Sequence, residues 1–185
     1  MILSAALFAI LIFAIFYLPG RFFLRLSSYK NEHYSVIIAL SLGIGVCSFL
    51  LITYLLSWLK VEVLINILII PLIAIEAKKS YHEFLREFSL KQLCSLETVL
   101  IILGSIAMTY VSWRSGVNAN GNYVFYGVHA IDSIYHQSLI GNLMYHFPPT
   151  NPGLAGVSLH GYNFFYDFLI ANFSKFYHIN RYDLF

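Results

Sequence analysis

The sequence predicts an all-α integral membrane protein: a helical bundle of about five transmembrane helices, one cytoplasmic amphipathic helix in the membrane interface, and a long outward-facing loop that carries a short helix. Three observations predict it. Of 185 residues, 59% are hydrophobic and only 11% are charged, with 16 Phe, 14 Tyr and 2 Trp. A soluble domain of ~150 residues buries only about 70% of the surface its unfolded chain exposes, so water leaves no place for that much apolar surface. The apolar residues also fall in runs near the ~20 residues that a span needs, and Lys and Arg gather in alternate connections. These facts exclude a disordered chain, a disulfide scaffold and a water-soluble enzyme. A net charge of +2 is too small to imply a nucleic-acid partner.

The first span runs from Ile2 to Leu18 without a charge and is expected to stop at Pro19-Gly20. It lacks a basic leader region, and Arg21, Phe22, Phe23 and Arg25 do not resemble a cleavage site, so it reads as a retained span. The second span runs from about Ser35 to Leu59, with Trp58 and Lys60 as interfacial anchors. Val61 to Ile75 forms a short third span containing Pro71. Ser80 and Glu83 make a capping box, and Tyr81, Phe84, Leu85 and Phe88 follow at helical spacing among Lys78, Lys79, Arg86, Glu87 and Lys91. That pattern predicts a helix lying in the interface over about 80–94, or else a solvated connector. A fourth span is expected from about Leu96 to Trp113 and a fifth from Gly161 to Tyr177.

Orientation follows from basic residues in short connections. Arg21, Arg25, Lys30, Lys78, Lys79, Arg86 and Lys91 fall on one side, against Lys60 and Arg114 on the other. The N-terminus and the long loop are thus expected outside, with the interfacial helix and the region near Arg181 in the cytoplasm. Cys47 and Cys94 sit too differently in this arrangement to form a disulfide. The chain divides into a transmembrane scaffold (1–113), an extracytoplasmic loop with the candidate site (114–160), and a fifth span with the C-terminal end (161–185).

Composition changes abruptly at Arg114. Residues 114–161 hold seven of the eleven Gly, three of the five Pro and four of the seven His. Val117 to Tyr126 contains an Asn120-Gly121 turn signal and forms a small hairpin or an irregular loop. Val128 to Tyr145 has no Pro and one Gly and reads as a helix. On it His129, Asp132 and His136 share one face, and Asp132 is the only acid between Glu97 and Asp167. Three readings stay open for that carboxylate. It can take a proton from an acceptor hydroxyl with a neighbouring His tuning it. It can hold a divalent cation with His136, a donor pair that suits Mn or Zn better than Mg. Or it can simply pair with Arg114.

The three prolines of Pro148-Pro149-Thr150-Asn151-Pro152 impose an extended, rigid course, which also serves a plain connector back to the membrane. Aromatics such as Tyr162 and Phe164 at a span entrance are ordinary interfacial anchors. Asp167 is harder to dismiss, because an acid within an apolar run costs ~2.5 to 3.5 kcal/mol at mid-membrane. It is expected near the interface or facing a polar cavity. Asn172-Phe173-Ser174 matches a glycosylation sequon formally but lies within the apolar run.

The Asp-x-x-x-His helix, then His146-Phe147-Pro148-Pro149-Thr150-Asn151-Pro152-Gly153-Leu154-Ala155-Gly156, then an aromatic cluster at the next span, resembles polytopic membrane glycosyltransferases of the GT-C type. It is similar in particular to bacterial and archaeal members with a PP-x-x-P-x-x-x-G stretch followed by tyrosines. The resemblance covers about residues 126–185. It implies an inner-membrane enzyme that transfers a sugar from a polyprenyl-phosphate carrier to an acceptor at the outer face. It also implies that Asp132 is the general base or a ligand of a divalent ion, Mn or Mg. By the same resemblance His136 and His146 assist at the donor phosphate, Arg114 pairs with it, His129 and His160 contribute to substrate binding, and Tyr162 to Tyr166 line the groove for sugar or lipid. The tyrosine run departs from the pattern as Phe164-Phe165-Tyr166, and the usual second acid beside the first is missing. Such enzymes have more spans than five, so the chain is expected to be the N-terminal portion of a longer protein. The reading from a different class is a non-catalytic membrane protein that binds a lipid carrier or a partner subunit.

Overall fold

The computed structural model describes residues 9–29, 34–87, 99–100, 103–107, 117–119, 122–124, 129–154 and 156–180. These are mostly helical and fall in two compact units, Met1–Leu93 and Cys94–Phe185. Two helices, Ala9–Leu26 (α1) and Tyr34–Trp58 (α2), are long and apolar enough to cross a membrane.

In the first unit α1 packs on both α2 and Leu64–Glu87 (α3). Helix α1 does not stop at Pro19-Gly20, as the sequence alone suggests. Proline lacks an N–H and its ring crowds the preceding turn. Here a π-helical turn over Phe13–Tyr17 precedes it, closed by the Leu18 N–H on the Phe13 carbonyl, and the helix continues through Pro19 to Leu26. The wider turn absorbs the disturbance that proline imposes. Arg21 and Arg25 therefore lie on a helix, not in a loop.

Gly20 has a packing reason. A Cβ there would overlap the Ser41 carbonyl oxygen, and a Cβ on Gly45 would overlap the Phe16 carbonyl. Helices α1 and α2 thus meet backbone to backbone, as small residues permit in membrane helix pairs. The buried residues of α2 recur every fourth position, Ile37, Ser41, Gly45, Phe49, Thr53 and Ser57, while Leu40, Leu51 and Leu55 are exposed. Four of these six inward positions are small or polar, and leucines occupy outward ones. Phe16 meets Phe49 edge to face at 5.5 Å, and the Tyr17 and Tyr34 hydroxyls share a buried hydrogen bond of 3.1 Å.

Helix α3 corrects two further expectations. The third span and the start of the interfacial helix are one continuous helix of 24 residues, with Pro71 inside it. Ser80 and Glu83 are not a capping box, because Ser80 is mid-helix and buried. Between Pro71 and Tyr81 only Ile, Leu, Ala, Glu, Lys and Ser occur, and nothing in that set breaks a helix. Glu83 instead accepts from Arg21 Nη2 at 2.9 Å and Arg25 Nη1 at 2.6 Å, while Glu76 accepts from Arg25 Nε at 2.9 Å. Glu76 is 1% exposed. Burial pushes the Glu83 carboxyl up, but the hydrogen bonds and charges of Arg21 and Arg25 outweigh it and hold the group below the usual carboxylate range. Residues 88–94, where the interfacial helix was expected to end, lie outside the described residues.

In the second unit, 99–100 and 103–107 are helical, and the rest of the expected fourth span lies outside the described residues. Strands Val117–Ala119 (β1) and Asn122–Val124 (β2) pair antiparallel, Val117 opposite Val124. Helices His129–Leu143 (α4) and Phe165–Tyr177 (α5) pack on each other. At about 1.5 Å per residue, the 13 residues of α5 fall short of the ~30 Å hydrocarbon core. The fifth apolar run thus makes a helix shorter than a span: Gly161 takes φ +69°, the chain stays irregular to Phe164, and a left-handed His178 closes the far end.

Gly45→Ala is expected to lower the melting temperature in detergent, since overpacking costs roughly 1–3 kcal/mol. Gly43→Ala, whose new methyl meets nothing within 4 Å, should leave stability unchanged or raise it by about 0.4–1 kcal/mol. For Glu83 the folded pKa is depressed, so its contribution is complete above the ordinary carboxylate range and is lost as pH falls through the folded value. Thermal melts across acid pH should show this loss in the natural chain and a shallower one in Glu83→Gln.

Candidate functional site

Helix α4 forms where proline is absent, and it ends in a turn in which the Tyr145 and His146 N–H groups bond the Asn142 carbonyl. Helix α5 begins where the Asn163 side chain accepts the Phe165 N–H at 3.3 Å. Their packing brings the middle of α4 against the first turn of α5. There His136 Nδ1 lies 2.8 Å from Asp167 Oδ1. An ionised carboxylate only accepts, so Nδ1 carries the proton and donates it. Nε2 then accepts from the Tyr162 hydroxyl, 3.5 Å away.

Asp167 is 0% exposed. Burial pushes its carboxyl above the usual range, and the hydrogen bond from His136 only partly opposes this. Its Oδ2 is buried without a hydrogen-bond partner. A phenylalanine cluster surrounds the start of α5: Phe147 lies 5.5 Å from Phe168, and Phe164 lies 6.4 Å from each of them. Tyr135 and Tyr162 meet edge to face at 5.4 Å. Burial first, then the charge of Asp167, raises the Tyr162 and Tyr166 hydroxyls above the ordinary phenol value.

The proline-rich segment is not a simple extended return. It folds back on itself, with Thr150 bridged to Ser158, the Asn151 N–H on the Val157 carbonyl and the Leu159 N–H on the Pro149 carbonyl. Asn142 clasps this loop to α4: its Nδ2 donates to Thr150 Oγ1 at 2.8 Å, and its Oδ1 accepts the Thr150 N–H at 3.1 Å. Proline restricts the dihedrals of this stretch, and an Asx-type side chain supplies the partner that bends it.

The residues singled out by sequence are only partly gathered. His136 and Tyr162 meet, and Tyr166 sits one residue before Asp167. Asp132 is exposed in the first turn of α4, where the helix dipole favours a carboxylate by itself. Among the described residues no hydrogen bond or ion pair reaches it. His146 and His160 are exposed on the connection between α4 and α5. His129 opens α4, its side chain outside what is described, and Arg114 lies outside the described residues altogether, as does the expected Asp132–Arg114 pair. Among the described residues, no three His, Cys, Asp or Glu side chains gather as a cation cage. For a divalent ion the chain offers Asp132 and His136, whose Nδ1 bond to a carboxylate is the support that metal-bound histidines receive.

Asp167 is the participant that sequence reasoning did not place in the site. Its signal was present, an acid inside an apolar run, but its partner lies 31 residues earlier in the chain. Compared with protein-family profiles, characterised proteins and solved structures, the chain matches none.

The clasp yields a direct test. Asn142→Ala removes two hydrogen bonds worth about 0.5–1.5 kcal/mol each. It should lower thermal stability accordingly and speed proteolysis within 151–158, with helical circular dichroism unchanged.

Proposed function

We propose that the chain is a membrane glycosyltransferase that passes a sugar from a polyprenyl-phosphate carrier to an acceptor hydroxyl at the outer face of the membrane. The single observation that carries this reading is the His136–Asp167 pair beside Tyr162, inside the stretch of about 126–185 that resembles GT-C enzymes. Such transfer needs a group that takes the acceptor proton while the acceptor oxygen bonds to the sugar's anomeric carbon. The bond to the carrier phosphate breaks, and the phosphate leaves with the electron pair. Asp132 is the base or a ligand for a divalent ion, Mn or Mg, which when bound would offset phosphate charge. His136 and His146 assist at the phosphate, Arg114 pairs with it, and His129, His160, Tyr162 and Tyr166 contact sugar or lipid. In this reading the 61–75 and 96–113 segments join α1 and α2 as spans of an inner-membrane bundle, and the stretch beyond Lys78 lies at the cytoplasmic interface. The N-terminus and the 114–160 loop face outward.

A second reading, a non-catalytic protein that binds a lipid carrier or a partner subunit, draws support from the exposure of Asp132 and the missing second acid near it. Right-side-out vesicles carrying the natural chain, a polyprenyl-phosphate sugar and an external hydroxyl acceptor separate the two. Transfer is expected, with a loss of at least about 100-fold in Asp132→Asn. Transfer undiminished in Asp132→Asn removes that residue from the chemistry. Retention of the carrier without any transfer by the natural chain establishes the second reading.

A further inference from the structure

We infer that Asp167 is a positioning residue: its carboxylate holds the His136 ring in the Nδ1-protonated tautomer and turns Nε2, the accepting nitrogen, toward Tyr162. This rests on the reading of His136 as a group that meets substrate.

Three observations converge on it. The Nδ1 to Oδ1 distance of 2.8 Å is that of a charge-assisted hydrogen bond, and an acceptor-only partner dictates which ring nitrogen keeps the proton. Asp167 is completely buried, and among the described residues His136 is the only side chain bonded to its carboxylate. Favourable placement in a helix's first turn does not account for that burial. Asp132 occupies the first turn of α4 while exposed, so the dipole of a helix asks for no desolvation. Bonding to His136 does, because the ring itself is three-quarters covered, its side chain 25% exposed.

The third observation is mechanical. Asp167 is carried by the first turn of α5 and His136 by the middle of α4. Phe147, Phe164 and Phe168 pack around the start of α5, limiting water that would compete for the carboxylate. A neutral imidazole free in water prefers its proton on Nε2, where that nitrogen accepts nothing. Asp167 reverses the preference, as a buried carboxylate does for a catalytic histidine in other enzymes, and leaves Nε2 able to take a proton or a metal ion.

The test is nitrogen NMR of the full chain, labelled with 15N-histidine, in nanodiscs at neutral pH, with His136 assigned by its loss in His136→Gln. The natural chain should show a protonated Nδ1 and a lone-pair Nε2. Asp167→Ala should move His136 mainly to the Nε2-protonated form, and Asp167→Glu, which keeps a carboxylate, should retain part of the original signal. A natural chain with Nε2 protonated overturns the inference whatever the variants do, and so does an unchanged tautomer in Asp167→Ala. If Asp167→Ala fails to fold, as judged by circular dichroism and size exclusion, the natural-chain spectrum and Asp167→Glu decide the matter. In the vesicle assay Asp167→Ala should lower kcat about 10–100-fold with little change in KM. Full transfer in His136→Gln would refute the reading of His136 while leaving the tautomer result intact, so the two failures are distinct.

Discussion

A carboxylate placed among apolar helices needs a cation or an N–H donor within hydrogen-bonding reach, and both units are organised by that requirement. In the first, Arg21 and Arg25 stand one turn apart on α1, and Glu76 and Glu83 stand two turns apart on α3. Glu83 bridges both guanidinium groups. These pairs are partly withdrawn from water, and losing one partner strands a charge there, so this set ties α1 to α3 at one register. It also explains why α1 runs past Pro19 and why α3 stays helical through Ser80. A helix that ended at Gly20 would leave the arginines on a loop with no fixed partners. In the second unit the same requirement draws Asp167 to His136.

Around the ionic cluster, the first unit is packed by small side chains. Gly20, Ser41 and Gly45 let α1 and α2 touch along their backbones, and one inward-facing hydroxyl is met within the helix, where Thr53 Oγ1 donates to the Phe49 carbonyl at 2.6 Å. Large apolar residues cover the opposite faces: Leu51 is 61% exposed and Ile67 is 64% exposed. In water that distribution would be unfavourable, since burial of the large residues is what drives a soluble core. In lipid it costs nothing, and close backbone contact becomes the source of packing energy.

The candidate site depends on two devices of different kinds. A buried carboxylate governs which face of an imidazole can accept, and a folded loop, tied to α4 by Asn142, holds the segment leading into α5. The first device acts on the ring of His136, through its Nδ1. The second holds the stretch of chain that leads to Tyr162. Asp132, with its side chain exposed, supplies a carboxylate at the end of α4 outside this pair.

The helical class, the extent of α2 and the helix at α4 were legible in the amino-acid sequence, because hydropathy, proline placement and composition act through near neighbours in the chain. Three features were not. The end of α1 was misread at Pro19-Gly20, since a π-helical turn and a glycine contact with α2 accommodate what local rules treat as a stop. Ser80 and Glu83 have the spacing of a cap, yet Glu83 is a partner for arginines 58 and 62 residues earlier. His136 was singled out, but its bond to Asp167 depends on two helices meeting side by side. Local interactions follow from the order of residues alone. Which buried charges find one another is decided only when distant segments pack, because the cost of an unpaired charge is set by the three-dimensional surroundings that remove it from solvent.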